Sequence, residues 1–261
     1  MSEDLKACCA TIYESDIARL LLGDSFHPGG VRLTRRLGEI LGLRPGARVL
    51  DVASGTGESA IFLARTFGCE VTGIDFGGEN VSRAQTRAEA SDAGRLVRFV
   101  QGDAESTGFP AESFDAVICE CAFCTFPNKA AAAQEFFRLL KSGGRLGLSD
   151  LTRAAVLPGA LQSLLAWVAC IADARPLGEY IEILQAAGFS DVTTEEHDEA
   201  LGEMVRDVQG RLMGAEVAMK LSKAESIPVD FGEAREMARA AASAVRAGQL
   251  GYAIVTARRA A

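Results

Sequence analysis

The chain has 261 residues, 35 of them acidic against 27 basic for a formal net charge of −8, and 48% of it is hydrophobic. That length buries a sizeable core as one α/β domain with an insertion or cap, and the lack of a clustered basic run leaves no electrostatic footprint for nucleic acid. No stretch approaches a membrane span, and the N-terminus has neither the basic nor the apolar region of a secretory leader, so a cytoplasmic protein is expected.

In chain order, residues 3–22 read as a helix carrying Cys8, Cys9 and Tyr13. A GDSFHPGG loop follows, then a second helix over 31–41 with Leu33, Leu37, Ile40 and Leu41 at helical spacing. Such a lead-in can lie across the mouth of a ligand site. Arg44, Pro45 and Gly46 end it, and Arg48 to Val52 forms a buried strand broken by Ser54, Gly55, Thr56 and Gly57. Residues 58–67 continue as a helix, 70–76 as a second strand ending on Asp75, 79–90 as a helix, and 97–100 as a third strand leading to Gly102 and Asp103. Residues 114–121 are a fourth strand, 130–140 a helix, and 145–150 a fifth strand after a turn at Lys141, Ser142, Gly143 and Gly144.

Strands alternating with helices imply a parallel sheet with right-handed crossovers, and ligands in such sheets bind beyond the carboxyl ends of the strands. Asp51, Asp75, Asp103 and Glu120 fall at or near those ends. The Cys119, Cys121 and Cys124 thiols are expected along the same rim.

Past Asp150 the pattern loosens. Residues 161–171 are apolar and read as buried, 178–187 as a helix closed by Gly188, and 192–196 as a short strand. A helical insertion over 203–246 precedes a last strand over 251–257, expected antiparallel at or near the sheet edge beside the strands around Leu146 and Val192. The expected organisation is a helical lead-in over 1–44, a ligand-binding domain over 45–200, and the insertion with the final strand over 201–261.

Seven cysteines are too few and too oddly spaced for a secreted disulfide scaffold and read as thiols. With two histidines and no second spaced cysteine pair, any metal or metalloid site must be mostly sulfur. Cys69 reads as core, and Cys119 and Cys124, although at the rim, read as packing more than as ligands, because a free cysteine behaves as a small hydrophobe.

The stretch RVLDVASGTG, Arg48 to Gly57, is a strand, glycine turn and helix start. Its glycines let a ligand lie against bare backbone at a helix N-terminus. Gly55, Gly57 and Ala60 fit the dinucleotide fingerprint, with Asp75 downstream for a ribose. Asp51 tips the balance elsewhere: a carboxylate before the turn repels a pyrophosphate and attracts a cationic amino group. S-adenosyl-L-methionine, with an ammonium, a sulfonium and no phosphate, suits that charge pattern. Its methionine end is expected against Asp51 and Ser54 to Gly57, its ribose on Asp75 with Phe76 beside it, and its adenine edge at Asp103 and Ala104; Glu120 completes the set.

DVASGTG, the acid at Asp75, GDAE at 102–105 and LKSGGRLGLSD at 140–150 together resemble the class I S-adenosylmethionine-dependent methyltransferases over roughly residues 45–195. The resemblance implies a Rossmann-like, seven-stranded, mostly parallel sheet whose last strand inserts antiparallel. A narrower resemblance lies in the thiols. SEDLKACC at 2–9, VICECAFCTFPNK at 117–129 and the segment from Cys170 through Tyr180 to Phe189 are similar to stretches of arsenite methyltransferases, and imply that Cys121, Cys170 and one of Cys8 or Cys9 bind As(III) as substrate. Glu120 stands where that family usually has Asn.

Methyl transfer from a sulfonium is an in-line displacement that needs a desolvated, well-aimed lone pair more than a base. Trivalent arsenic is thiophilic, and three thiolates leave it a lone pair. The reading is therefore an arsenite methyltransferase acting in detoxification, with Cys121 and Cys170 as its essential thiols and a reductant such as glutathione or thioredoxin as a partner. Two other readings stay open. One is a methyltransferase of an organic small molecule with Glu120 or His27 as base and structural cysteines; the other is a nicotinamide dehydrogenase or thiol sensor on the same fold. His27 otherwise reads as a turn cap.

Overall fold

The computed structural model describes residues 6, 11, 14, 27–154, 156–157, 159–161, 171, 173–222 and 230–260. Cys8, Cys9, Tyr13, Trp167 and Cys170 lie outside them, as does nearly all of the helix expected over 3–22. Helix α1 (Gly30–Ile40) leads into β1 (Arg48–Val52), α2 (Glu58–Phe67), β2 (Glu70–Asp75), α3 (Gly78–Glu89), β3 (Val97–Gln101), β4 (Phe114–Glu120), α4 (Lys129–Leu139) and β5 (Leu140–Arg153). Then come α5 (Leu177–Ala186), β6 (Ser190–Glu196), the helix pair α6 (Asp198–Ser222) and α7 (Phe231–Arg246), and β7 (Leu250–Arg258).

The seven strands form one sheet in the order β3-β2-β1-β4-β5-β7-β6. Pairing is parallel from β3 to β5, and β7 runs antiparallel between β5 and β6, beside the strands expected. Strand order reverses at β1, whose chain leaves toward β2 on one side while β4 lies on the other. A crevice opens there at the carboxyl ends, where open α/β sheets take their ligands.

Successive side chains of a strand point to opposite faces, and both faces of this sheet are covered. Leu50, Val52, Val117 and Cys119 pack with Phe123, Phe136, Tyr180 and Tyr252 on one face. Val49, Ala116 and Ile118 pack with Leu37 of α1 and Leu63 of α2 on the other. By the same alternation Asp51 and Glu120 aim at the α1 and α2 face.

Local chemistry sets the helix ends. Gly57 at φ 81 and Gly68 at φ 67 flank α2 in left-handed backbone, and Glu58 and Arg65 match its dipole. The Asn128 side chain accepts the Ala131 N–H at 3.0 Å and starts α4. No helix among the described residues is long and apolar enough to cross a membrane.

The fifth strand is longer than expected. Lys141 to Gly144 has turn composition, yet Gly143 donates to the Arg259 carbonyl at 3.0 Å and Arg259 to that of Gly144 at 2.9 Å. Backbone pairing carries the strand through these residues, and at the other end it reaches Arg153 opposite Leu250.

Gly73 in β2 ties the core to the crevice. A Cβ there would stand 2.3 Å from the Phe99 ring and 2.7 Å from Ser54 Oγ. Gly73→Ala is expected to destabilise the fold by about 1–3 kcal/mol through overpacking. Urea denaturation checks this, and an unshifted midpoint would show that Phe99 yields freely.

Candidate functional site

The crevice is a cavity walled by the turn after β1, the ends of β2 and β4, the segment after β3, and the first residues of α2. Ala53 at φ 56 and Gly55 at φ 52 fold the turn in left-handed backbone. Its Gly55 N–H donates to Asp75 Oδ2 at 2.8 Å. The other oxygen of Asp75 accepts Gly77 N–H at 2.9 Å and Asn80 Nδ2 at 3.3 Å, so one carboxylate braces two loops. Burial pushes Asp75 up, and those three bonds pull it back part of the way.

Asp51 is only 2% exposed. Its Oδ2 and Ser54 Oγ are buried polar atoms without a hydrogen-bond partner among the described residues. Glu120, by contrast, is well served. Ser59 donates to its Oε2 at 2.6 Å and Thr34 at 3.0 Å, while Ser149 lies 3.4 Å from Oε1. Behind Ser149 stands the Tyr252 hydroxyl, donating at 3.0 Å. The His27 Nε2 sits 3.7 Å from Glu120 Oε2 and its Nδ1 3.3 Å from the Pro28 carbonyl.

At the far end, Asp103 and Ala104 border the cavity, and Phe76, 37% exposed, flanks it. Lys6 Nζ reaches both oxygens of Asp103, at 2.9 and 2.7 Å, and Glu105 at 2.7 Å. One residue of the N-terminal lead-in thus stands at the cavity rim. Another, Glu14, accepts the Glu79 N–H at the start of α3 at 2.9 Å.

Of the expected site residues, the cavity gathers Asp51, Ser54, Gly55, Asp75, Phe76, Asp103, Ala104, Glu120 and Cys121. Gly57 does not line it; a Cβ there would meet Phe99 at 2.6 Å, so this glycine serves the turn and its packing. Cys121 lies one residue past β4 at φ 51, held by its N–H on the Ser149 carbonyl at 2.7 Å. A non-glycine residue pays for that conformation, and such residues gather at functional sites.

Two expectations need correction. Cys119 and Cys124 are fully buried in the core and do not share the rim, Cys119 because its strand parity turns it to the other face, where burial raises its thiol well above the usual range. His27 is a buried member of the Glu120 cluster, more than a turn cap. Thr34 and Ser59 carry no motif. Their only signal is a hydroxyl on the apolar face of a helix, where a buried polar group requires a partner.

Burial, followed by the charges of Glu120 and Asp75, pushes Asp51 well above the usual carboxylate range. Its ionised form is disfavoured on folding, so the penalty is absent below about pH 4 and grows as pH rises toward the folded-state value. Asp51→Asn is expected to raise Tm relative to the native chain at about pH 7 and to leave it unchanged near pH 4, read by thermal unfolding across pH. A lowered Tm at neutral pH would show that the carboxylate is compensated in the fold.

Residues 50–148 match the family model described as a methyltransferase domain. Phosphoethanolamine N-methyltransferase 1 of Arabidopsis thaliana is 30% identical over 178 residues, covering 68% of this chain and 36% of the relative. The 27-O-demethylrifamycin SV methyltransferase of Amycolatopsis mediterranei is 34% identical over 148 residues, 52% of this chain and 54% of its own. The chain therefore spans about a third to a half of the length of these curated relatives. Phosphoethanolamine N-methyltransferase 2 of Haemonchus contortus, solved in complex with S-adenosyl-L-methionine, shares the fold with a TM-score of 0.82 at 18% identity, covering 98% of this chain and 60% of that one. The cofactor of such a domain is S-adenosylmethionine, and the residues present fit it: a bare glycine turn, and at Asp51 and Ser54 two buried acceptors without partners among the described residues. Residues 50–148 belong to the methyltransferase domain family.

Proposed function

We propose that this chain moves a methyl group from S-adenosylmethionine to a trivalent arsenical held by cysteine thiolates, Cys121 first among them. The observation that carries the reading is the place of Cys121, strained at φ 51 on the wall of the cavity that holds Asp51, Ser54 and Asp75. The bound cofactor supplies an electrophilic methyl group on a cationic sulfur. Asp51 and Glu120 offer negative charge to its ammonium, Asp75 accepts from the ribose, Phe76 covers the rim, and Asp103 with Ala104 meets the adenine. Cys121 holds the acceptor dry beside them, which desolvates and aims its lone pair.

Further thiolates would come from Cys170 and from Cys8 or Cys9. Two described neighbours support this. Ile171, joined to Cys170 by one peptide bond, packs in the same cluster as Phe123 and Cys124. Lys6 stands at the cavity rim, two residues before Cys8. Such thiols work only when reduced, and a dithiol or glutathione-type reductant is the partner this chemistry requires.

One observation favours a second reading. The buried His27 and Glu120 cluster fits a base for an organic acceptor, and the relatives above are named for phosphoethanolamine and rifamycin.

Cys121→Ser is expected to abolish arsenite methylation while S-adenosylmethionine affinity stays within about twofold, since a hydroxyl is a poor ligand for a soft centre. Asp75→Ala should weaken cofactor binding by about 1–3 kcal/mol, the scale of lost charge-assisted hydrogen bonds. Calorimetry and a methylation assay check both. Full arsenite methylation by Cys121→Ser, or methylation of an amine lost with Glu120→Gln and kept with Cys121→Ser, would favour the organic acceptor.

A further inference from the structure

A second groove, of about 370 Å³, opens at the amino ends of β1, β2 and β3, away from the cofactor cavity. Its size is that of a small-molecule site. A crossover between parallel strands usually lays a helix on the sheet, but residues 102–113, which join β3 to β4, contain none. Val71, Val97 and Phe99 pack on the face of α2 and α3. By alternation Thr72 and Arg98, register partners on β2 and β3, point to the opposite face. There Arg48 of β1, Arg95 of the turn before β3 and Arg98 line the groove with Thr72, Phe114 and Glu70.

Two of the three guanidinium groups are held in place by the fold. Arg98 Nε donates to Thr72 Oγ1 at 3.0 Å, which leaves the two terminal amino groups of its fork without a partner among the described residues. The Arg48 guanidinium carbon lies 5.8 Å from the centre of the buried Phe114 ring, and the Arg48 N–H donates to Asp115 Oδ2 at 2.8 Å. The charge of Asp115 is met by Lys141 Nζ at 2.7 Å. Glu70, opposite Arg48 in the register of β1 and β2, forms no ion pair with any of the three arginines among the described residues. In a chain of net charge −8, three arginines against one carboxylate reverse the local sign. A guanidinium that is already oriented loses little freedom on binding and offers parallel N–H groups to an oxyanion.

We propose that this groove is a second ligand site, taking a small phosphate-bearing anion on Arg48, Arg95 and Arg98. It is separate from the methyl-transfer cavity and does not rest on the arsenical reading. Arg48 and Asp51 are three residues apart on β1, about 10 Å of strand, so the two sites stand at opposite ends of the same strands. Glu70 opposes the anion, and this gives the site a variant that should improve it.

The test is isothermal titration calorimetry of the 261-residue chain with pyrophosphate at low ionic strength, repeated with ADP and repeated in saturating S-adenosylmethionine. Saturable pyrophosphate binding that persists beside the cofactor is expected. Arg98→Met should weaken it roughly 10-fold or more, the scale of a lost charge-assisted hydrogen bond. Glu70→Gln should strengthen it about twofold or more by removing a like charge, a gain that a merely structural role would not produce. S-adenosylmethionine affinity and Tm should stay close to those of the native chain in both. If Arg98→Met does not fold, Arg95→Met, in an exposed turn, should weaken binding about threefold or more. ADP binding tighter than pyrophosphate would support the proposal with an organic phosphate as occupant, and the reverse order would support it with a free one. No saturable heat from either anion at about 1 mM, the lower end of measurable affinity, would overturn it. So would native affinity in Arg98→Met and Arg95→Met, or displacement of pyrophosphate by S-adenosylmethionine, which would move the anion into the cofactor cavity.

Discussion

Burying a carboxylate is costly unless donors meet it, and β1, β2 and β4 each carry one at or near the carboxyl end, Asp51, Asp75 and Glu120. Each is handled differently. Asp75 is served by backbone N–H groups, which forces the glycine turn after β1 and the turn after β2 into contact with one side chain. Glu120 is served by hydroxyls from α1 and α2, so the lead-in helix must sit where Thr34 reaches it. Asp51 has only a partial answer, and its Oδ2 is left in the crevice without a partner among the described residues. The placement of loops and helices around the site follows from satisfying these acids.

Strand parity divides the work of β1 and β4. One set of alternate side chains builds the core under α4 and α5, and the other builds the core under α1 and α2 and ends in Asp51 and Glu120. Cys119 and Glu120 are neighbours in sequence and face opposite cores. The break in this rule is Cys121, whose left-handed backbone turns the chain off the sheet just where the cavity wall begins. A residue in the strand conformation would simply extend the ladder.

Most of the architecture was legible in the sequence because alternating apolar strands and amphipathic helices report on local periodicity. The glycine turn and the acids at strand ends were visible for the same reason. What escaped was set by partners far apart in the chain: Thr34 and Ser59 with Glu120, Lys6 with Asp103, Lys129 with Asp173. Composition also misled at Lys141 to Gly144, where turn-forming residues are held in a strand by pairing with the C-terminal segment. Among three closely spaced cysteines, the family resemblance singled out Cys121, and parity with one positive φ is the physical reason that it alone of the three lines the cavity.

The position of β7 constrains how the sheet comes together during synthesis. β5 and β6 are not hydrogen-bonded to one another; each pairs with β7, the last strand of the chain. Until residues 250–258 have left the ribosome, β5 carries a long open edge and β6 has no neighbour in the sheet. Unpaired edges of this kind invite pairing with other chains. The parallel half from β3 to β5 can assemble early around the glycine turn, but the sheet is closed only once residues 250–258 have emerged, by a contact of high sequence separation that makes this step slow relative to the local ones. A nascent chain of this protein therefore passes through a stage in which its future cofactor cradle exists while its sheet remains adhesive, and a chaperone that shields the β5 edge would act at that stage.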